Sequence, residues 1–319
     1  MLTSLAGNRT RCFRHGVLTN EIEVPQDIRL RRIFKMKSPS GSLYARSFLS
    51  ALSIAALATT AGLSAPSADP SAEALKNAEN LMKKDKYKDA RSKLDEAIKA
   101  NANNAKAYVD RSLVNDRLGR YSAAIEDAGK AIQLDAKSAS AYVNRGWAYN
   151  KTGNYKAALE DLNRAIELDG NIAMAYVNRA HAYNGLKQYD KAIADADKAA
   201  QMKSPHARAL ALINKSHALH MQGNHNDAAD AATLALQINP KLSAAYVNRG
   251  RSLAKQGYHD KAVDDFSKAL KYNGKLAHVY HHRGLSYKTL GNEKQAKSDS
   301  ETASKMGFKP SSTKVADPR

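Results

Sequence analysis

Tyr142-Val-Asn-Arg-Gly146, Tyr176-Val-Asn-Arg-Ala180 and Tyr246-Val-Asn-Arg-Gly250 are near-copies of one phrase, and they set a 34-residue grid that governs the chain from Ser71 to Pro310. A fixed period of that length builds stacked supersecondary units rather than one globular core. The units begin at Ser71, Ala105, Ala139, Ala173, Ala209, Ser243 and Ala277, and only the fourth step is longer, gaining Ala207 and Arg208. Each unit has the same grammar: an apolar-periodic helix, a turn marked by Gly119, Gly153, Gly223, Gly257 or Gly291 in five of them, and a second helix closed by a short breaker. That is a helical hairpin, and seven in tandem make an all-α chain. The twentieth residue is always Ala (Ala90, Ala124, Ala158, Ala192, Ala228, Ala262, Ala296), as is the twenty-seventh (Ala97, Ala131, Ala165, Ala199, Ala235, Ala269, Ala303). Small side chains let two helices approach closely at a shared crossing point.

The pattern resembles the tetratricopeptide repeat. An aromatic stands fourth (Tyr108, Tyr142, Tyr176, Tyr246, Tyr280), a small residue eighth (Ser112, Gly146, Ala180, Gly250, Gly284) and Tyr often eleventh (Tyr149, Tyr183, Tyr287), beside the two alanines. The match spans 240 of 319 residues. The family's Pro at the repeat end survives as Pro240, with Ala102, Ala136, Gly170, Ser204 and Gly274 elsewhere. The resemblance implies a right-handed superhelical solenoid of seven hairpins, with a concave groove lined by the first helix of each.

A chain of 319 residues would ordinarily suggest two domains. Stacked hairpins instead make one elongated unit in which each repeat contacts its neighbours. Hydrophobic residues are 43% of the chain but aromatics only 7%, which suits a thin helical layer joined through alanines.

The first 70 residues leave the grid. Phe48 to Leu63 is an apolar run preceded by Lys37 and Arg46 and followed by Ser64-Ala65. It falls short of the ~20 apolar residues of a membrane helix, and its small-residue exit suits a signal peptidase. Residues 36–65, starting at Met36, therefore read as a signal peptide cleaved near Ala65; residues 1–35 read as a mis-assigned start or disordered extension, 66–70 as a linker, 71–310 as the repeat domain and 311–319 as a disordered tail. Export to the periplasm or exterior, with no stable membrane span after cleavage, is the expectation; an uncleaved Phe48–Leu63 anchor is the alternative. The one cysteine, Cys12, precedes the leader, so the mature chain would hold neither disulfides nor thiolate sites.

Residues 66–319 carry 41 Lys/Arg against 28 Asp/Glu, a net charge of +13. Such a balance favours acidic partners, but the lysines are spread over all repeats rather than gathered into a stripe.

Two positions bear on how the hairpins hold. The seventh residue, usually apolar in the family, is Arg in five units (Arg111, Arg145, Arg179, Arg249, Arg283), and the twenty-third is Asp in the same five (Asp127, Asp161, Asp195, Asp265, Asp299). Units one and five have neither, carrying Asn77 with Lys93 and Lys215 with Ala231. This co-occurrence predicts an ion pair joining the two helices of each hairpin, in which the planar guanidinium engages the carboxylate twice.

The sixth residue runs Lys76, Asp110, Asn144, Asn178, Asn214, Asn248, His282. In the family this side of the first helix faces the groove, and the resemblance implies that Asn144, Asn178, Asn214 and Asn248 hold the backbone of an extended peptide. An amide both donates and accepts, as a peptide bond does; capping bonds to neighbouring helices are the alternative. On the same predicted face lie Trp147, the sole tryptophan, with His181, His217, Arg251 and His282. Trp147 is either a contact anchor or packing against the next first helix. His217 with His220, and His278 with His281, have the i, i+3 spacing of paired metal ligands, but neither pair has an acidic companion. No metal and no cofactor are expected.

Phosphate loops and nucleophile motifs are missing from the sequence, so catalysis is not the expected function. The expectation is a non-catalytic scaffold or adaptor that binds another protein through an extended segment. The alternative is a basic solenoid that binds an anionic polymer, nucleic acid or envelope polysaccharide, of which nucleic acid is the less expected. Oligomeric state is not legible.

Overall fold

The structure is a computed structural model that describes residues 69–309. The extension, signal peptide, apolar run and tail expected at 1–35, 36–65, 48–63 and 311–319 all lie outside the described residues. So does Cys12.

Fourteen helices fill the described span as seven hairpins. They are α1 (Pro70–Met82) with α2 (Tyr87–Ala100), α3 (Ala105–Arg117) with α4 (Tyr121–Leu134), α5 (Ala139–Lys151) with α6 (Tyr155–Leu168), and α7 (Ala173–Gly185) with α8 (Tyr189–Ala200). Then follow α9 (Pro205–Met221) with α10 (His225–Ile238), α11 (Ser243–Lys255) with α12 (His259–Tyr272), and α13 (Ala277–Thr289) with α14 (Glu293–Lys305). None is long and apolar enough to cross a membrane among the described residues.

The hairpin turn depends on one left-handed residue. At the fifteenth position Gly119, Gly153, Gly223, Gly257 and Gly291 adopt φ of +73° to +87°, a region glycine enters without steric cost. Units one and four place Asp85 and Lys187 there instead, at φ 55° and 60°.

In the third and sixth hairpins the crossing point matches a glycine against a large side chain. A Cβ on Gly146 would lie 2.7 Å from Leu162 Cγ, and one on Gly250 would lie 2.9 Å from Phe266. Leu162 and Phe266 are fully buried, so the glycines make room for them. Where the eighth residue is Ala180 or Ser112, the facing residue shrinks to Ala196 or Ala128. All fourteen alanines of the twentieth and twenty-seventh positions are buried. The final helix departs from the inner pattern: Lys297, Ser300 and Ser304 are exposed where α6 carries the half-buried Leu159 and Ile166 and the buried Leu162.

Ala207 and Arg208, the two extra residues, enter the fifth hairpin as an added helical turn. α9 runs 17 residues against 13 for the other first helices, starts with Pro205 in its first turn, and is capped by Ser204, whose hydroxyl accepts from Ala207 N.

First helices pack on their own second helices and on the first helices of neighbouring hairpins; second helices touch only first helices. The first helices therefore form the inner, concave layer, and the second helices fan outward.

Candidate functional site

Between the two layers runs a seam built from the Arg–Asp pairs. Arg145 Nε and Nη2 donate to Asp161 Oδ2 and Oδ1 at 2.7 and 2.8 Å. Arg111 with Asp127, Arg179 with Asp195, Arg249 with Asp265 and Arg283 with Asp299 repeat this two-bond fork at 2.6–2.9 Å. Each guanidinium also lies 5.5–5.8 Å from the ring centroid of the fourth-position Tyr (Tyr108, Tyr142, Tyr176, Tyr246, Tyr280). The aspartates are 4–10% exposed and the arginines 18–24%. The carboxylates hold the guanidinium of Arg145, Arg179, Arg249 and Arg283 above its ordinary value. In the second hairpin, Asn115 adds a bond from Nδ2 to Asp127 Oδ2 at 2.8 Å.

The seam also couples successive hairpins, which the sequence reading did not foresee. Arg111 Nη1 reaches back to Asp95 at 2.7 Å, Arg179 Nη1 to Asn163 at 2.7 Å, Arg249 Nη1 to Thr233 at 3.1 Å and Arg283 Nη1 to Ser267 at 3.0 Å. All four partners are the twenty-fifth residue of the preceding unit. Arg145 faces Gly129 at that position and has no such bond. In unit five, where Asp is replaced by Ala231, Lys215 still reaches back to Asp197 at 2.7 Å. The signal was available as a hydrogen-bonding residue before five of the six Arg or Lys units, but its chemical identity changes at every step.

The groove face uses its asparagines on the array itself. Asn144 Nδ2 donates to Val109 O at 3.1 Å, Asn214 Nδ2 to Val177 O at 2.9 Å and Asn248 Nδ2 to Ile213 O at 3.0 Å, each bond joining neighbouring first helices. Asn178 and Asn248 are buried. A second rank runs the other way, from Asn150 Nδ2 to Asn178 O at 2.7 Å and from Asn184 Nδ2 to Asn214 O at 3.0 Å. Asn144, Asn178, Asn214 and Asn248, expected to hold a partner's backbone, are thus also part of the array itself. For three of them an amide donor is engaged on the neighbouring helix, because the close approach of first helices brings a carbonyl within reach. The helical carbonyl has a second lone pair to accept it.

The ninth-position side chains form the open line of the groove: Glu79, Leu113, Trp147, His181, His217, Arg251 and Leu285. Trp147 is half-buried, with His181 edge-on at 5.8 Å between ring centroids and Lys151 Nζ 4.8 Å above its ring. Leu285 is 51% exposed.

The two ends of this line differ in how their charges are answered. At the first two hairpins Lys106 Nζ bridges Glu79 and Asp110 at 2.7 and 2.8 Å, beside an open pocket of about 350 Å³ lined also by Met82, Lys83, Tyr87, Leu113 and Arg117, so that both signs are present. Lys106 holds the Glu79 carboxyl below its ordinary value, while burial pushes that of Asp110 up. At the last three hairpins the lining is basic. Among the described residues Arg251 makes only a long contact to Met221 Sδ, at 3.9 Å, and burial lowers its guanidinium with no carboxylate opposing. Burial, reinforced by Arg251, pulls His217 down to about 4, His220 to about 3 and His282 to about 4. His181, His278 and His281 are lowered chiefly by burial. His220 Nδ1 lies 3.0 Å from Ser252 Oγ, and the His282 ring stacks on Phe266.

A two-layer array of hairpins with an inner groove is a helical repeat scaffold. Family models of the tetratricopeptide repeat match residues 75–141, 139–172, 173–206, 243–276 and 277–306, and the chain belongs to that family. No curated protein matches it in sequence. Among solved structures it is similar to a tetratricopeptide repeat protein from Parabacteroides merdae, with TM-score 0.58, 21% identity, and coverage of 75% of this chain and 94% of that one. It is also similar to PilW, described as a type IV pilus biogenesis factor (TM-score 0.57, 20% identity, 64% and 94% covered). PilF of Pseudomonas aeruginosa gives 0.53, 19%, 61% and 88%. At these identities the likeness is one of fold.

Proposed function

We propose that the protein is a non-catalytic scaffold that holds an extended segment of another protein in its concave groove, and that it acts after export. The observation that carries this reading is the line of ninth-position side chains. Leu113, Trp147, His181, His217, Arg251 and Leu285 are of four kinds, apolar, aromatic, imidazole and guanidinium, while the seam beside them repeats one chemistry. A face that only held the array together would repeat as the seam does. Trp147 is the anchor of the middle section, His181, His217, Arg251 and His282 contact the partner toward the C-terminal hairpins, and the inter-helix asparagines hold the groove preformed. Burying part of Leu285 and Trp147 against a partner would supply apolar contact. The exported location rests on the Phe48–Leu63 run and its Ser64-Ala65 exit.

The test is site-specific photo-crosslinking in the native envelope, with p-benzoylphenylalanine at Leu113, Trp147 or Leu285 in the groove and at Lys130, Arg164 or Lys268 on the outer helices. One partner captured from the groove positions alone supports the reading. Capture from the outer positions alone, with affinity that collapses as salt rises, would favour an anionic polymer on the convex surface.

A further inference from the structure

Arg249 and Arg251 are two residues apart on α11 and point to different layers. Arg249 is locked in the seam, whereas Arg251 faces the groove over a pocket of about 230 Å³ lined by His220, Lys255, His259, His282, Leu285 and Thr289 among others. Every titratable group in that lining is basic. Arg251 acts by its charge on His217 and His220 of α9 and on His278 and His282 of α13; His225 of α10 acts on His220, and Lys255 of α11 and His259 of α12 line the same pocket. A guanidinium that is partly desolvated without a carboxylate is held at a cost, which an anion placed against it would relieve.

We propose that this pocket is an anion-binding subsite that seats an acidic side chain, Asp or Glu, of the segment held in the groove, and that the surrounding histidines tighten this recognition as pH falls. The inference rests on the groove reading above. Its geometry is that of a fork. The guanidinium offers paired N–H groups to a carboxylate, which Lys255 cannot match with a point charge. With a water occupying about 30 Å³, the pocket admits a carboxylate-bearing side chain and its bridging waters. The exposed Leu285 supplies an apolar wall for the methylene stem.

The pH response follows from charge. Burial and repulsion by Arg251 disfavour the charged forms of His217, His220 and His282. An entering carboxylate cancels that repulsion, so the histidines take up protons as it binds. A ligand whose binding takes up protons binds more tightly at lower pH. The response ends where the ligand's own carboxyl protonates, near about pH 4.3 for Glu.

The experiment uses the exported chain and a fluorescein-labelled ten-residue peptide of alternating Ala and Glu, N-acetylated and C-amidated, with an Ala-Gln peptide as its neutral counterpart. Anisotropy titrations at about 0.15 M salt keep diffuse attraction screened. The Glu peptide should bind at least about tenfold more tightly than the Gln peptide, and about three- to tenfold more tightly at pH 5.5 than at pH 7.5. Arg251→Gln should remove most of both effects. Lys271→Gln, which deletes the same charge from an exposed site on α12, should change affinity less than about twofold. Arg251→Lys should keep the pH response while losing part of the affinity, provided circular dichroism shows both Arg251 variants folded. Equal losses in Arg251→Gln and Lys271→Gln, or no loss in the first, would overturn the subsite. A photo-crosslinker at Leu285 separates the two levels of argument. If the peptide crosslinks there yet binds Arg251→Gln unchanged, the groove stands and the subsite falls. If it binds without crosslinking at Leu285 and crosslinks instead from Lys130, the groove reading itself fails.

Discussion

Seam and groove treat the same side chain in opposite ways. In the seam Arg111, Arg145, Arg179, Arg249 and Arg283 each meet an aspartate that is almost wholly buried, and the five sites are near-copies. On the groove face Arg251 meets a sulfur and a ring of histidines. A charge answered within the chain contributes to holding the chain; a charge left unanswered is held in place by its neighbours and is available to something outside. The seam is built by repetition, and the groove by departure from it.

The sharpest way to break this contrast is to truncate both arginines of α11. Arg249→Ala should cost about 2–3 kcal/mol in urea denaturation, since Asp265 is 4% exposed and would lose its partner. The figure lies at the low end for buried pairs because Arg249 itself is 22% exposed. Adding Asp265→Ala should cost less than the sum of the single losses in a double-mutant cycle. Arg251→Ala should change stability by less than about 0.5 kcal/mol, because no bond to a carboxylate is lost. Similar losses for the two would erase the distinction.

Acid should probe the groove next. His217, His220 and His282 have folded values of about 4, 3 and 4, below the ordinary histidine value of about 6.5. Between these limits the unfolded chain binds more protons than the folded one. Stability should thus be fully present above about pH 6.5 and be lost as pH falls toward about 4, by about 1–2 kcal/mol after allowance for the open side of the groove. Thermal melts across that range should show it, with a shallower slope in Arg251→Gln. A flat profile would mean that these rings are not desolvated.

The seam's own exception offers a smaller test. Gly129 leaves Arg145 without the backward bond that the other four arginines make, and glycine inside α4 weakens the helix. Gly129→Asn should restore the pattern and raise stability by about 0.5–1 kcal/mol, measured by chemical denaturation. The smallest effect is expected at the other end of the groove. Lys106 is 58% exposed, so Lys106→Ala should cost no more than a few tenths of a kcal/mol despite its two carboxylate contacts.

What could be read in advance follows the same division. The hairpins and the Arg–Asp fork were legible because one residue type recurs at one position and its counterpart recurs sixteen residues later. The backward bonds to Asp95, Asn163, Thr233 and Ser267 were obscured because any side chain that accepts a hydrogen bond serves there. Asn144, Asn214 and Asn248 were visible as a row, but an amide suits a neighbouring helix and a foreign peptide equally well, and their bonds to the neighbouring helix depend on a spacing of first helices that the row does not show. The isolation of Arg251 is an absence of nearby carboxylate among the described residues, and absences of that kind belong to three dimensions.

The layering has a mechanical consequence. Inner helices touch from hairpin to hairpin and are pinned by bonds such as Asn214 to Val177 O, while outer helices never touch one another. An array joined along one edge bends most easily about that edge, like a coil spring wound on its inner rail. Its stiffness is set by the inner bonds and its pitch by the spread of the outer ones. A segment drawn along the inner rail would tighten the pitch least where these bonds lie, between the second and sixth hairpins, and more readily toward either end.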